Sequence, residues 1–545
     1  MYPNTRNKDD IISYVTRRYS DLCSYRSVFE NHWEEVAEVT SPRDRNFTGF
    51  FSPGDKKRTS QYDSVTELSL SRASSFYDAV TTPRNKRWHG IRSNLPTLNN
   101  NQRVREYYDE VENVLFQHRY GPGSNFPSQR HEQIRSLFGF GNGAIFVDLV
   151  GNKIRYKCIH LSNLYLDENA WGIVDVVYRK CEMTGRQIEQ QFGEAAVPQT
   201  VKNNQHTGTT QTYCVIHTCE PNPNYVPESL NPEERKYISH YIFNETEKKI
   251  LETTGYDNFP YAISRDSKSP REVYGRGIGM AILPNTKMLN QIKKTHIEAA
   301  HMNVRPTLLM KDDGSVNAVD LRPGKIIRGG IDAAGNPVLA PLNHGARYDI
   351  SSDLLASEYG MIREAFMLDL FISNLEREAT ATEVLTRSQE QARLLSPMSG
   401  QEETESLATM IEREINLHNV AGHLPEMPPE LIEAGGDFAI EYTSPIANSQ
   451  KADEALGATQ TIQAAFAAAQ FDPSALDVVN LDEYIRLQAD ANGTPAKVIR
   501  AMEDVQAMRQ QRAQQEQMMA MMENAKNVSG AALDVARAEK TAREM

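Results

Sequence analysis

Apolar residues recur every three or four positions over the first forty residues of the chain, which is the spacing of one face of an α-helix. The pattern begins near Asp9, runs to about Val39 and stops before Pro42. Similar periodicity predicts three more helices, at about 64–80, 101–117 and 128–139. The chain is therefore expected to begin with four helices.

The pattern changes between Ala144 and Thr254, where short runs of β-branched and aromatic residues are separated by Gly, Asn and Asp. Runs such as AIFVDLV, KIRYKCI and TYCVIHTC are typical of an antiparallel β region. Between two of these strands, Thr184 and Gln187 form a capping-box pattern, which predicts the start of a short helix.

Two long helices are predicted further on, on either side of a segment rich in glycine and proline. The first runs from about Ala281 to Asn303 and ends before Pro306, because proline has no amide hydrogen and clashes with the preceding turn. The second runs from about Ser351 to Phe371. Short strands and turns are expected between the two helices.

Another long helix is predicted to begin after a weak point in the helical pattern. Thr380 and Glu383 form a capping box that starts this helix, and Ser396 and Pro397 are expected to interrupt it before it resumes and ends at Gly422. The run DFAIEYTS then predicts a short strand. A largely helical part follows, and its last forty-odd residues are rich in Gln, Met and Ala, with an apolar stripe too thin to fold alone.

The composition restricts the class of protein. A chain of 545 residues exceeds one ordinary hydrophobic core, so several domains or one elongated subunit are expected. With 39% apolar and 24% charged residues it falls in the soluble globular class. No apolar run approaches the roughly 18 to 20 residues of a membrane span, and the polar start MYPNTRNKDD lacks the apolar region of a signal peptide. The chain is expected to stay in the cytosol.

The formal net charge is −13. Proteins that hold DNA tightly usually carry a basic surplus that neutralises phosphates. If this protein handles DNA, the contact is therefore expected to be local and weak, which suits a conduit better than a repressor or a nuclease.

Two glycine-rich segments could be mistaken for phosphate-binding loops. Gly275, Gly277 and Gly279 precede a helix and resemble a dinucleotide fingerprint. That fingerprint needs a buried strand before the first glycine, and the preceding SRDSKSPREV is too polar to form one, so a flexible helix-entry turn is the favoured interpretation. The run GFGNG links a helix to a strand, which is the wrong order for phosphate binding at a helix N-terminus.

Cys214, His217 and Cys219 have the residue types of metal ligands. In an extended strand Cys214 would point to one face and the other two to the opposite face, so ordinary strand packing is favoured. No Ser-His-Asp set, Walker-type loop or HExxH motif occurs, and we assign no catalytic, metal-binding or cofactor residue. The five cysteines are scattered and are expected to be reduced thiols.

Basic side chains accompany the predicted long helices. They are Lys287, Lys293, Lys294, His296, His301 and Arg305 on the first, and Arg377, Arg387 and Arg393 further on. For any single one of them, a solvated helix face or a salt bridge between subunits is the commoner explanation.

Taken in order, these elements resemble the portal (head-to-tail connector) proteins of short-tailed, podovirus-type bacteriophages. The resemblance covers about the first 450 residues. It rests on HWEEVAEVTSPRDRNF, TTPRNKRWHGI, VVYRKCEMTGRQIEQQFG, PREVYGRGIGMAILPNTKMLNQIKKTHIEAAHMNVRP and, most strongly, EREATATEVLTRSQEQARLLSP.

The resemblance implies an α+β, mainly α chain with the portal fold of wing, stem, clip and helical crown and barrel, assembled as a ring. The implied parts are an N-terminal wing (1–270), stem helix 1 (271–305), a clip (306–345), stem helix 2 (346–369), a tunnel loop (370–382), a kinked wing helix with a wing strand (383–450), a helical crown (451–500) and a C-terminal helical barrel (501–545).

The same resemblance places a few side chains near the channel. The candidate DNA-facing cations are Arg377, Arg387, Lys293 and Lys294, and the candidate tunnel-loop residues are Leu370, Asn374, Glu376, Glu378 and Thr380. These residues would meet DNA without reading its sequence.

The function that the resemblance implies is structural and not enzymatic. A ring of subunits, expected to be a dodecamer, would form the channel at the portal vertex of the virion for packaging, retention and ejection of double-stranded DNA. Its implied partners are the large terminase, the major capsid and scaffolding proteins, a tail adaptor and internal core or ejection proteins, with assembly in the host cytoplasm and no membrane. The alternatives are a non-viral oligomeric helical scaffold or adaptor, and a metal-dependent DNA enzyme.

Overall fold

The computed structural model describes most of the chain. The described residues are 8–49, 51–52, 54–57, 61–206, 211–227, 229, 231–310, 326, 331, 334–342, 348–369, 394–443, 445–470, 475, 478–491, 494, 498–500, 502 and 504–522.

Two compact units divide the chain. The first is Met1–Arg84 with Arg119–Ala421, and the second is Asn85–His118 with Gly422–Met545. Both units are therefore discontinuous in sequence, and the second includes a piece of the segment predicted as the N-terminal wing.

Helices dominate the described part of the chain. In order they are α1 (Lys8–Thr40), α2 (Val65–Thr81), α3 (Gln102–Tyr120), α4 (Phe126–Phe140), α5 (Gly185–Phe192), α6 (Gln199–His206), α7 (Ile278–Ala281), α8 (Leu283–Val304), α9 (Tyr348–Ala365), α10 (Ala408–Val420), α11 (Pro429–Glu433), α12 (Pro445–Ala469) and α13 (Leu481–Ala491). Residues 394–402, 502 and 504–522 are also helical. Of the helices that the structure describes, none has the length and apolar character needed to cross a membrane.

The strands lie mainly in the first unit. They are β1 (His89–Ser93), β2 (Asn142–Val150), β3 (Lys153–Ile159), β4 (Leu164–Glu168), β5 (Val174–Thr184), β6 (Thr212–Pro221), β7 (Tyr237–Asn244), β8 (Lys248–Tyr256), β9 (Tyr261–Arg265), β10 (Leu308–Met310), β11 (Leu339–Pro341) and β12 (Phe438–Tyr442). The predicted α+β, mainly α class is confirmed.

Two antiparallel sheets build the centre of the first unit. One has five strands in the order β4-β5-β6-β7-β8, and the other has three in the order β3-β2-β9. The predicted antiparallel β region is therefore confirmed, but it extends further than expected, because β9 lies beyond the predicted end at Thr254.

Alternation along β6 shows how the five-stranded sheet is covered. Ile216 packs with Val15 and Leu22 of α1, whereas its neighbour Val215 belongs to a separate cluster with Ile188 of α5. Successive side chains of a strand point to opposite faces, so helices cover both sides of the sheet. The capping box of Thr184 and Gln187 is present and opens α5, as predicted.

The helix before α10 differs from the prediction. The expected interruption at Ser396 and Pro397 is wrong, because residues 394–402 are helical throughout. The irregularity is instead a π-helical turn at Glu403–Leu407. Side chains beside and within this turn, Glu402 and Ser406, make buried polar contacts with α4. These contacts, rather than the proline, coincide with the point where the regular helical hydrogen bonding changes.

In the second unit, β1 and β12 pair as an antiparallel ribbon, which confirms the strand predicted from DFAIEYTS. Glu112 of α3 accepts a hydrogen bond from the Ile91 amide, at 2.7 Å. Helices α12 and α13 pack together, and the Gln488 Nε2 donates to the Thr459 hydroxyl. The largely helical character predicted for this part of the chain is present in the described residues.

Candidate channel hairpin and its anchor

Helices α8 and α9 form a hairpin that is closed by two short strands. β10 pairs antiparallel with β11 between the helices, and α8 packs against α9. With 22 residues, α8 is about 33 Å long at the usual helical rise. The predicted order of helix, short strands and helix is therefore present, although most of 306–345 lies outside the described residues.

One side of α9 is buried. Leu355, Glu358, Ile362 and Phe366 follow helical spacing and are all less than a tenth exposed. The Glu358 carboxylate accepts a hydrogen bond from Asn285 of α8, at 3.1 Å. This side of α9 contacts α8 through Glu358, and α9 also packs against α2.

A different side of each helix exposes large apolar residues. Met288 and Met302 of α8 are 46% and 49% exposed, and Leu354 and Met361 of α9 are 47% and 45% exposed. Residues seven or fourteen positions apart lie on the same side of a helix. The hairpin therefore carries apolar positions that the described residues leave half uncovered.

The start of the hairpin is fixed by close contact between the two glycine-rich segments. A Cβ atom at Gly277 would lie 2.4 Å from the Gly141 nitrogen, and one at Gly279 would lie 2.5 Å from the Gly139 carbonyl oxygen. Gly141 has a φ of +81° and caps the end of α4, a conformation that favours glycine. We call this backbone-to-backbone packing of Gly139–Gly143 on Gly275–Gly279 the glycine contact.

Hydrogen bonds reinforce the glycine contact. The Gly275 amide donates to Oδ1 of Asn142, and Nδ2 of Asn142 donates to the Gly275 carbonyl, at 2.9 and 3.1 Å. The Asp266 amide donates to the Gly141 carbonyl, at 2.9 Å. The favoured interpretation as a helix-entry turn is thus correct in position, but the turn is tightly packed and not flexible. The two segments fill the space beside each other's backbone, where a phosphate-binding loop would need room for its ligand.

Arg265, at the end of β9, connects this region to the π-helical turn. Its side chain is fully buried and pairs with Glu405 at 2.7 Å and with Glu168 at 2.9 Å. Burial lowers the pKa of Arg265, but its hydrogen bonds with these two carboxylates outweigh the burial and raise the pKa above its ordinary value. Paired and hydrogen-bonded on several sides, the buried guanidinium is held in one geometry.

Two more buried arginines pair with carboxylates of the helical segment 394–420, which contains the π-helical turn. Arg130 of α4 pairs with Glu402 at 2.6 Å, and Arg119 pairs with Glu414 of α10. Glu414 also accepts a hydrogen bond from the Tyr156 hydroxyl, at 2.6 Å. Between Glu402 and Glu414, the helical segment is therefore fixed to α4, to the sheets and to Arg119 by buried ion pairs.

The structure locates two of the four candidate DNA-facing cations. Lys293 donates to the Tyr359 hydroxyl at 3.2 Å and lies 3.9 Å from an Asp63 oxygen. Lys294 is partly exposed and forms no ion pair with any residue in the described ranges. Arg377 and Arg387 lie outside the described residues, as do the tunnel-loop candidates Leu370, Asn374, Glu376, Glu378 and Thr380. All of these assignments stay predictions.

The cysteine and histidine pattern of β6 is part of the sheet packing. His217 is fully buried, and its two ring nitrogens contact the hydroxyls of Tyr261 and Ser239. Burial lowers the pKa of His217 well below its ordinary value. Cys219 lies in the core beneath the three-stranded sheet, and Cys214 is on the opposite face, as alternation predicts. All five cysteines are free thiols.

The sequence analysis missed the packing of the two glycine runs against each other, because it considered each run alone. A usable signal was present, since each run lies where a helix ends or begins, and close backbone approach is a common reason for glycine. It also missed the arginine pairs, whose partners are far apart in sequence.

Comparison with known proteins gives a consistent result. Residues 13–499 match the family described as "Bacteriophage head to tail connecting protein". The "Portal protein" of Salmonella phage epsilon15 is 26% identical over 522 residues, covering 92% of this chain and 91% of that protein. The "Probable portal protein" of Bordetella phage BPP-1 is 24% identical over 515 residues, with the same coverage of both.

Among solved structures, a chain of the "Neck of empty GTA particle computed with C6 symmetry" covers 83% of this chain and 93% of its own length. The identity is 11% and the TM-score is 0.37. That superposition is too loose to support an argument about the fold.

Proposed function

This chain belongs to the family of bacteriophage head to tail connecting proteins, and we propose that it is the portal subunit, a structural protein that forms a DNA channel at one vertex of the capsid. The names of the two phage relatives support this proposal. The structural observation that carries it is the α8–α9 hairpin, which is buried on one side and half exposed at apolar positions on another.

The exposed positions of the hairpin favour assembly side by side. Apolar residues that repeat along a helix and remain uncovered in one subunit usually mark a contact with another protein. When the same contact repeats head to tail around one axis, the subunits close into a ring. In this proposal 271–305 and 346–369, which contain α7, α8 and α9, are the stem, 306–345 is the clip, 370–382 is the tunnel loop, and 1–270 with 383–450 form the wing.

The remaining parts follow from the same proposal. Residues 451–500 would form the crown and 501–545 the helical barrel, and the ring would be a dodecamer in the virion. The large terminase would supply the packaging force, the clip would meet the tail adaptor, and the capsid, scaffolding and internal core proteins would surround the ring. Assembly would take place in the host cytoplasm, and the subunit itself would catalyse no reaction.

A ring of this kind would hold DNA without reading it. B-DNA repeats about every 10 to 10.5 base pairs, so twelve equivalent subunits cannot all make the same contact with its groove. The net charge of −13 keeps the attraction to phosphates low. Lys294 is a better candidate for a channel-side cation than Lys293, whose ammonium group is already engaged by Tyr359 and Asp63.

Native mass spectrometry and end-on electron microscopy of the purified protein test the proposal. We expect closed rings with a central hole, and we expect Leu354→Asp with Met361→Asp to yield mainly monomers, because buried carboxylates oppose the contact. Val150→Asp with Val226→Asp is the matched control, since these residues of the first unit are also about half exposed or more, and it should leave the rings intact.

The alternatives predict different results. A non-viral scaffold would give dimers or trimers, and a metal-dependent DNA enzyme would cleave plasmid when magnesium is added. Monomers from the unmodified protein under all assembly conditions would refute the portal assignment.

A further inference from the structure

One exposed strand face carries three cations in a protein with an excess of negative charge. Lys153, Arg155 and Lys157 occupy alternate positions of β3, and all three are exposed. None of them forms an ion pair with a residue in the described part of the chain; the one hydrogen bond shown for Arg155 goes to the Gly123 carbonyl. We call these three residues the cationic strand face.

A buried arginine adds to this positive charge. Arg179 is 7% exposed and lies 5.7 Å from the ring of Phe146. Phe146 is directly opposite Lys157 in the β2–β3 pair, so its side chain and that of Lys157 are neighbours on one face. Although Lys157 is exposed as a residue, partial burial of its ammonium group and the nearby Arg179 both lower its pKa. The nearby Tyr261 hydroxyl helps to raise the pKa of Arg179, and Arg179 forms no ion pair with a carboxylate of the described residues.

The carboxylate directly opposite the middle cation is already engaged. Asp148 is directly opposite Arg155 across the β2–β3 pair, but its Oδ1 accepts a hydrogen bond from Arg413 of α10, at 3.2 Å. The cations of β3 therefore form no ion pair with the residues that the structure describes. An anionic partner would provide such pairs at little cost to existing contacts.

The backbone edge of β3 excludes one mode of binding. Nδ2 of Asn125 donates to the Tyr156 carbonyl at 2.6 Å, and the Tyr156 amide donates back to Oδ1 of Asn125 at 3.1 Å. The Cys158 amide donates to Gln129, at 2.7 Å. Since side chains cover this edge, a partner cannot add to the sheet as another strand. It must bind through the side chains of the cationic strand face.

The spacing of the three cations indicates what kind of partner fits. Alternate residues of a strand are about 6.6 to 6.8 Å apart, so the stripe spans roughly 13 Å. An extended peptide has the same repeat, and carboxylates at every second position would each meet one cation. DNA fits less well, because the overall charge of −13 repels it.

We propose that the cationic strand face, with Arg179 behind it, docks an extended acidic segment of another protein, in which Asp or Glu occupies alternate positions. This proposal does not depend on the channel or on the subunit number.

Fluorescence anisotropy with the full-length protein tests it. The probe is a labelled peptide of alternating Glu and Ser long enough to cover the stripe, compared with a peptide of the same composition whose Glu and Ser form two blocks. We expect the alternating peptide to bind more tightly and to weaken as salt is added. The triple variant Lys153→Ser, Arg155→Ser, Lys157→Ser should lose about tenfold in affinity, the combined effect of three exposed contacts.

A matched variant controls for net charge. Lys56→Ser, Arg186→Ser and Lys248→Ser remove the same number of exposed cations from scattered positions, and this variant should bind the alternating peptide as the unmodified protein does. Equal losses in both variants, or no binding by the unmodified protein, would overturn the proposal. An oligothymidine of matched charge that binds more tightly than the peptide and depends on the same three residues would also overturn it, in favour of a nucleic-acid surface.

Discussion

The glycine contact allows a steric prediction whose size follows from distances. In Gly277→Ala the added methyl group would lie 2.4 Å from the Gly141 nitrogen and 2.8 Å from the carbonyl oxygens of Leu137 and Phe138. Nonbonded atoms are most stable near 3.5 to 4.0 Å, and all three neighbours are main chain, so none can rotate away. Gly277 itself has an ordinary φ of −83°, so the effect is one of space and not of backbone strain.

The expected loss in the free energy of unfolding is at the upper end of what overpacking substitutions produce. Single overpacking substitutions destabilise by about 1 to 3 kcal/mol, and three simultaneous overlaps with backbone give an expectation of about 3 kcal/mol. For a large unit, the free energy of unfolding falls by roughly 3 kcal/mol per molar urea. The midpoint of urea unfolding should therefore fall by about 1 M in Gly277→Ala.

Intrinsic fluorescence during urea unfolding provides the measurement. Trp33 is fully buried in the same core cluster as Tyr274 and Met280, which flank Gly277 in the chain, so its emission reports on this region. Gly360→Ala is the control, because a Cβ at Gly360 in α9 would meet nothing within 4 Å and alanine favours a helix by about 1 kcal/mol. The titration should be repeated at two protein concentrations, since assembly makes the midpoint concentration-dependent. Equal midpoints for Gly277→Ala and Gly360→Ala would refute the reasoning.

Three further predictions rest on buried groups and on the long helix. Arg265→Met should destabilise the first unit by about 3 to 5 kcal/mol, because Glu405 and Glu168 would be left without their buried partner; adding Glu405→Gln should recover part of this loss in the same urea titration, and no recovery would argue against the pairing. Burial raises the pKa of Glu220 to about 7 from an ordinary 4.5, so the folded state favours the protonated acid, and stability should fall by about 3 kcal/mol as pH rises from about 4.5 to about 7. Glu220→Gln should make that part of the stability profile shallower without flattening it, because burial also raises the pKa of Glu112 and of Glu403 to about 7, and an unchanged slope would contradict the assignment. Pro397→Ala should leave the far-ultraviolet circular dichroism nearly unchanged, because the helix already runs through this residue; a clear gain in helical signal would indicate a break.

Elements that are set by local spacing were predictable from the sequence. The apolar periodicity located α1 and α2 to within a residue or two, and the capping box at Thr184 is present as predicted. These features depend on residues only a few positions apart, which a sequence shows directly. The order of helix, short strands and helix in the hairpin followed for the same reason.

Features that depend on distant partners were not predictable in the same way. The two glycine runs are more than 130 positions apart, and each has its meaning only against the other. The π-helical turn at Glu403–Leu407 coincides with contacts to Arg130 and Arg265, whose positions depend on the folded sheets. Pro397 was the stronger local signal in the sequence, so the predicted interruption of the helix was placed there and not at the π-helical turn. The predicted DNA-facing residues stay predictions, because Arg377 and Arg387 lie outside the described residues and spacing along one chain does not show what Lys293 and Lys294 would face in the proposed ring.

The glycine contact has a mechanical consequence for the root of the hairpin. Where α4 meets the segment leading into α7 and α8, main chain touches main chain, with no layer of side chains to rearrange under load. Closely packed protein is nearly incompressible, so a push along α8 should pass into the sheets without being absorbed at this joint. The base of the hairpin should then resist swivelling, so that any deformation falls along the helices beyond it.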